Sequence, residues 1–236
     1  SAPGIFVHGQ VSPPKEGAVV TLKSSQSNLV ITTETGADGK YVAGPLYDED
    51  SWSASAQLEG YSFRGVEKFN FEVTELIKLQ IQVVDKVSGT GLAGVTVSVS
   101  SAGYRSNAKS LANGIVLFPD LQAGEYYIRP ILKEYDFGES LIKFTLSSEE
   151  NQLKIEGTRT AFSVMGTVKS LSAVPVNGVK VRAQSVELKG TQQFEDAVTK
   201  NDGSYRLRGL KPGQDYTIAV ELLGVGEIAA PLEMSW

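Results

Sequence analysis

Asp202-Gly203-Ser204-Tyr205-Arg206-Leu207-Arg208-Gly209-Leu210-Lys211-Pro212-Gly213-Gln214-Asp215-Tyr216 carries the features that decide the fold. An Asp-Gly pair supplies the left-handed backbone that a tight hairpin turn requires, and Tyr205 and Leu207 then alternate onto one face of a strand. Leu210-Lys211-Pro212-Gly213, followed by Tyr216, marks a corner where the chain crosses between two sheets. The leucine is expected to fill the core and the tyrosine to pack over the crossing. The stretch predicts a β-sandwich.

Outward from it, the same order occurs twice more. Asp38-Gly39 and Asn113-Gly114 superpose on Asp202-Gly203 without a gap. Two residues beyond each glycine stand Tyr41, Val116 and Tyr205; seven beyond, Leu46, Leu121 and Leu210; thirteen beyond, Trp52, Tyr127 and Tyr216. Ten beyond, two copies carry Gly124 and Gly213, whereas the first carries Glu49, so its turn is expected to be built differently. Upstream, Gly17, Gly94 and Gly178 each precede a valine-rich stretch, and alternating runs such as Phe69-x-Phe71-x-Val73 and Ile142-x-Phe144-x-Leu146 close the units. This is an internal repeat.

The step from residue 38 to 113 is 75 residues and from 113 to 202 is 89, each enough for about seven short strands of an immunoglobulin-like or transthyretin-like sandwich. No stretch has a sustained helical period with caps, which predicts an all-β chain. The expected modules are 1–75, 76–157 and 158–236. Val73-Thr74-Glu75-Leu76-Ile77 runs from one alternating segment to the next without a Gly/Ser or Pro-rich linker, so the array is expected to be extended.

Of the 236 residues, 41% are hydrophobic and 21% charged, ordinary values for a folded chain. The net charge of −5 argues against a nucleic-acid partner, which needs a basic face. The absence of cysteine removes disulfides, thiolate metal sites and cysteine catalysis. No apolar run is long enough to span a membrane, and none of the asparagines lies in a glycosylation sequon. Without an initiator methionine, the chain reads as a processed or excised piece.

Candidate chemistry is sparse. Gly89-x-Gly91-x-x-Gly94 formally matches a dinucleotide fingerprint, but Gly94 opens the period-2 run Val95-Thr96-Val97-Ser98-Val99 instead of a helix, so a glycine-rich loop is expected. His8, the single imidazole, reads as an exposed strand residue, and no Gly-x-Ser-x-Gly elbow exists. Asp48-Glu49-Asp50 could attract Ca²⁺ but lacks the alternating oxygen ligands of a dedicated loop. Glu149-Glu150, and Glu72 with Glu75, read as solvated positions. Tyr104-Arg105 reads as a capped loop between strands, with an exposed ligand contact as the alternative. A Lys-to-Asn isopeptide crosslink is conceivable in such modules, yet no spacing singles out a pair. The expectation is no catalytic, cofactor or metal site, and hence no enzyme.

The Gly-Val, Asp-Gly-x-Tyr, Leu-x-x-Gly-x-x-Tyr order resembles carboxypeptidase-regulatory-like, prealbumin-type sandwich domains. A narrower resemblance runs over residues 104–213. It is carried by Tyr104-Arg105-Ser106-Asn107, Asn113-Gly114-Ile115, Gly124-Glu125-Tyr126-Tyr127, Lys133-Glu134-Tyr135, Arg159-Thr160-Ala161-Phe162-Ser163, Gly166-Thr167-Val168, and Tyr205-Arg206-Leu207-Arg208-Gly209-Leu210 with Pro212-Gly213. In these the chain resembles the nodal modulator family of endoplasmic reticulum membrane proteins. That resemblance implies a lumenal stalk of many sandwiches, anchored by a span outside this sequence. It further implies partnership with nicalin and a small multispanning protein in a translocon-associated complex for multipass membrane-protein biogenesis. Family members carry cysteines near the positions of Val164 and Met165 and in the loop Val186 to Gln193, where this chain has none. A cell-surface adhesin or carbohydrate-binding array built from the same module is the alternative.

Overall fold

The computed structural model describes residues 4–47, 51–186 and 194–221, and these hold twenty β-strands and no α-helix. The first seven are β1 (Ile5–Ser12), β2 (Val19–Ser24), β3 (Val30–Glu34), β4 (Lys40–Leu46), β5 (Trp52–Gln57), β6 (Tyr61–Glu67) and β7 (Asn70–Glu75). They form two sheets, β4-β1-β7-β6 and β3-β2-β5. Alternation decides which face is inside: Val7 and Val11 of β1, Val20 and Leu22 of β2, Tyr41 and Ala43 of β4, and Phe71 and Val73 of β7 point into one shared core, and Leu46 joins it after the alternation shifts by one at Gly44-Pro45. His8 is exposed on β1 opposite Val42, as its position in the alternation dictates.

After the single residue Leu76 come β8 (Ile77–Asp85), β9 (Thr96–Ser101), β10 (Tyr104–Lys109), β11 (Ile115–Leu121), β12 (Gly124–Ile131), β13 (Tyr135–Asp136), β14 (Ile142–Leu146) and β15 (Gln152–Arg159). Their sheets are β11-β8-β15-β13 and β10-β9-β12-β14. Two residues later begin β16 (Phe162–Thr167), β17 (Lys180–Ser185), β18 (Phe194–Val198), β19 (Ser204–Leu210) and β20 (Tyr216–Glu221), arranged as β16-β19 and β18-β17-β20. Val181, Ala183, Leu207, Leu210 and Ile218 form the core of this third sheet pair. By compactness the chain divides into two units, Ser1–Gln80 with Leu117–Tyr126 and Lys143–Leu153, and Ile81–Val116 with Tyr127–Ile142 and Lys154–Trp236.

The three Asp/Asn-Gly turns have one geometry, but they are not hairpin turns. Each joins strands of different sheets, β3 to β4, β10 to β11 and β18 to β19. In each, the glycine N–H donates to a carbonyl three residues back, Gly36, Leu111 or Lys200. The Asp or Asn side chain accepts from the N–H two residues on, at Lys40, Ile115 or Ser204 (2.9–3.1 Å). The glycine carbonyl then accepts from Val11 of β1, Val83 of β8 or Val168, the residue after β16. The dipeptide signals φ > 0 at the glycine, which both hairpins and arches use; only the pairing partners of the flanking strands separate the two.

A hydroxyl three residues before each Asp/Asn belongs to the same device. Thr35, Ser110 and Thr199 are buried, and each accepts the N–H of the residue after the upstream glycine, Ala18, Val95 or Val179, at 2.9 Å. These hydroxyls satisfy amides that the crossing between sheets would otherwise leave unpaired.

The aromatic alignment needs correction at one position. Strand register puts Leu22 opposite Ala54, Val99 opposite Ile128 and Ala183 opposite Ile218, so the equivalent aromatics two residues earlier are Trp52, Tyr126 and Tyr216. Tyr127, the thirteenth residue from its glycine, points outward and is 38% exposed, whereas Tyr126 is 5% exposed. The middle repeat is one residue shorter between its corner leucine and its corner tyrosine, which turns Tyr127 to the opposite face. The Tyr126 hydroxyl donates to the Gln122 carbonyl (2.9 Å), and the Tyr216 hydroxyl accepts from the Lys211 N–H (3.0 Å). Tyr126→Phe and Tyr216→Phe are each expected to cost about 1 kcal/mol, the worth of one such bond. Urea-denaturation midpoints check both.

Candidate functional site

Most of the residues singled out by sequence serve turns and solvated faces. Asp85 ends β8, and its carboxylate caps the Val87 and Ser88 amides at 2.9 and 2.8 Å, which folds Gly89-x-Gly91-x-x-Gly94 into a loop leading to β9. Glu150 closes a turn with Ser147, and Glu72 pairs with Arg64 on exposed strands. Tyr104 and Arg105 are the first residues of β10 and lie within the strand, not in a loop. Asp48-Glu49-Asp50 lies outside the described residues, as does most of the Val186 to Gln193 loop. Among the described residues no group of three or more His, Asp or Glu side chains is placed to hold a metal.

Lys180 and Arg182 of β17 share Asp196 and Glu221 on an open sheet face, and a more buried group of polar side chains converges where β13 and β15 meet β16 and β19. The chain turns after β12 so that the carbonyl of Glu134 accepts the N–H groups of Thr160 (2.9 Å) and Ala161 (3.2 Å), the two residues linking β15 to β16. This places the Glu134 carboxylate, 6% exposed, against the outward face of β19. Arg208 grips it with Nε (2.7 Å) and Nη2 (2.6 Å), one to each oxygen, and the Ser163 hydroxyl donates to it at 2.5 Å. Arg206, 3.5 Å from the same carboxylate, donates to Ser163 at 3.1 Å. Burial by itself would push the Glu134 carboxyl up. The hydrogen bonds from Arg208 and Ser163, with the Arg208 charge, outweigh burial and bring it down from 4.5 to about 2.

Tyr135 extends the cluster. Its hydroxyl donates to Asp85 (3.0 Å) and accepts from both Nε and Nη2 of Arg159 (3.1 and 2.8 Å). The Arg159 guanidinium also lies 5.1 Å from the Tyr135 ring centroid and 5.6 Å from that of Phe162. Lys133 pairs with Glu195 of β18. Three links therefore tie the second repeat to the third: an ion pair at Lys133, a buried bidentate pair at Glu134, and the Arg159 guanidinium of β15 over the Phe162 ring of β16. Beside them opens a cleft of about 420 Å³, lined by Leu92, Leu132, Phe162, Met165 and the three arginines.

Counted from the corner aromatics Trp52 and Tyr126, Gly60 stands where Glu134 does, with Leu76 N–H on its carbonyl, and counted from the turn glycines Pro119 stands where Arg208 does. The bidentate pair therefore has no counterpart in the first two repeats. Sequence reading did not single out Glu134, Ser163 or Arg208. The available signal was two arginines alternating with the inward Leu207, which marks one strand face as cationic.

A family model described as "BOS complex subunit NOMO1-like, beta sandwich domain" matches residues 3–74, and one for the "Carboxypeptidase regulatory-like domain" matches residues 163–234. Mouse "BOS complex subunit NOMO1" is 35% identical over 236 residues, covering 97% of this chain. The chain belongs to the nodal modulator family. Human "BOS complex subunit NOMO3" is 34% identical over 97% of the chain, and "Nicotinic receptor-associated protein 4" of Caenorhabditis elegans 30% over 91%. The chain spans about a fifth of the length of these relatives, 19% of the mouse protein. Among solved structures, "The Bacillus anthracis TIE protein" covers all of the chain and 55% of its own at TM-score 0.39 and 13% identity. Within this nodal modulator segment, three of the short motifs that carry the family likeness meet at one place. Lys133-Glu134-Tyr135, Arg159-Thr160-Ala161-Phe162-Ser163 and Tyr205-Arg206-Leu207-Arg208 supply nearly every side chain of the junction just described.

Proposed function

We propose that this chain is a non-enzymatic scaffold and interaction segment of a nodal-modulator-like membrane protein. Its three modules, 1–75, 76–157 and 158–236, stand in the endoplasmic reticulum lumen, and the membrane anchor lies outside this sequence. The parent protein acts with nicalin and a small multispanning protein in a translocon-associated complex for multipass membrane-protein biogenesis. One observation carries this reading: in the family-like motifs between residues 133 and 208, Lys133, Glu134 and Arg208 bond one sandwich to the next. Such bonding suits a part that holds partners at a set orientation. The relatives named as BOS complex subunits support the same reading.

Affinity capture of the tagged full-length parent from detergent-solubilised reticulum membranes tests it. Nicalin and a small multispanning protein are expected in the eluate. Recovery of a glycan or RNA with no membrane protein would overturn the scaffold reading.

A further inference from the structure

The outward face of the β16-β19 ribbon pairs Met165 with Arg206 and Ser163 with Arg208 across the strands, while Val164 and Leu207 pack inward. Met165 is 75% exposed and Phe162 44%, and both line the cleft. Leu92 and Leu132 give the same cleft an apolar wall. Its charge runs against that of the chain. Three guanidiniums line it against the single carboxylate of Glu134, in a protein of net charge −5. Arg208 engages both Glu134 oxygens at close range, while Arg206, 3.5 Å from the same carboxylate, lines the cleft with a half-exposed side chain that an anion in the cleft can reach. Arg159, fixed by the Tyr135 hydroxyl, sets a second cation beside the exposed ring of Phe162.

We propose that this cleft docks an acidic segment of a protein partner, with an aliphatic or aromatic anchor seated against Met165 and Phe162 and carboxylates on Arg206 and Arg159. Three features select this occupant. The local positive charge complements an acidic chain and gives specificity and steering. An adaptable methionine beside an aromatic ring accepts apolar anchors of varied shape. A volume of about 420 Å³ holds one or two side chains, not a folded domain. The proposal rests on the scaffold reading above and specifies one of its surfaces.

The test uses the whole 236-residue chain and two labelled twelve-residue peptides, about twelve residues being enough to cross such a cleft. One alternates Glu and Leu around a central Phe; the other carries Lys at every Glu. Fluorescence anisotropy is expected to show saturable binding of the acidic peptide, weakening as salt rises, and none of the basic one. Arg206→Glu and Met165→Glu should each weaken binding at least tenfold. Lys200→Glu, an equal charge change on an exposed loop, should leave it unchanged. Both substituted side chains in the cleft are largely exposed, so circular dichroism should confirm an intact fold. Equal binding of the two peptides, no binding, or indifference to Arg206→Glu would overturn the docking site. That failure is separate from failure of the scaffold reading, which depends on membrane partners of the full-length parent and not on either peptide.

Discussion

Gly114→Ala is expected to destabilise the protein by about 3–5 kcal/mol, several times the cost of the same substitution at Gly94. Both glycines have positive φ, 79° and 72°, so an alanine meets the same left-handed backbone penalty of about 1–2 kcal/mol at each. Their surroundings differ. A Cβ on Gly94 would have no atom within 4 Å, whereas one on Gly114 would lie 2.2 Å from the Val83 carbonyl oxygen and 2.8 Å from the Gly91 Cα. Those are backbone atoms, so no rotamer change relieves the clash, and β8 must move away from the turn. Movement would also break the bond from the Val83 N–H to the Gly114 carbonyl. Hydrogen exchange over residues 115–121, with denaturation midpoints, measures the difference. Equal losses at the two sites would mean that backbone preference alone, and not the close crossing of the sheets, selects glycine at position 114.

Arg208→Ala should cost about 2–3 kcal/mol at neutral pH, from stranding a buried carboxylate that loses its bidentate partner. The full penalty for such a loss is about 3–5 kcal/mol. Here it is reduced because the Arg208 side chain is 36% exposed and Ser163 and Arg206 still face the carboxylate. The pH dependence follows from the same bond. The Glu134 carboxyl is lowered in the folded protein from 4.5 to about 2, so its stabilisation is complete above pH 4.5. It is lost as pH falls from 4.5 through 2. The protection factors of Leu207 and its neighbours, which are free of the intrinsic pH dependence of amide exchange, should therefore fall in the parent chain over that interval, and much less in Arg208→Ala, which lacks most of the stabilisation to begin with. A variant whose exchange keeps the parent's pH profile would show that the bidentate pair does not hold β19 in place.

Alternation made much of the fold legible. Val7 and Val11, Val95 with Val97 and Val99, and Tyr205 with Leu207 point inward as their sequence period requires, because a pleated strand leaves no other way to bury them. The corner leucines and the loop reading of Gly89 to Gly94 were likewise legible, since each follows from what a few adjacent residues allow. What escaped depends on partners far along the chain. Asp38-Gly39 announces a turn, yet whether β3 and β4 pair or belong to facing sheets depends on where β1 and β2 lie. The choice between Tyr126 and Tyr127 turned on the register of β12 against β9, which a one-residue difference in a loop reverses.

The candidate site divides in the same way. By itself the sequence determined a three-fold β repeat, its turn and corner residues, its lack of thiols and its nodal-modulator-like motifs, all properties of residues near one another in the chain. Only the tertiary structure decided that Glu134 is buried and that Arg208, 74 residues away, closes on it. It likewise decided that Met165 and Arg206 share an open face. A charged residue in a loop carries no local sign of burial. Its environment is made by strands that arrive from elsewhere, and it tolerates that environment because a cation from one of them compensates its lost hydration.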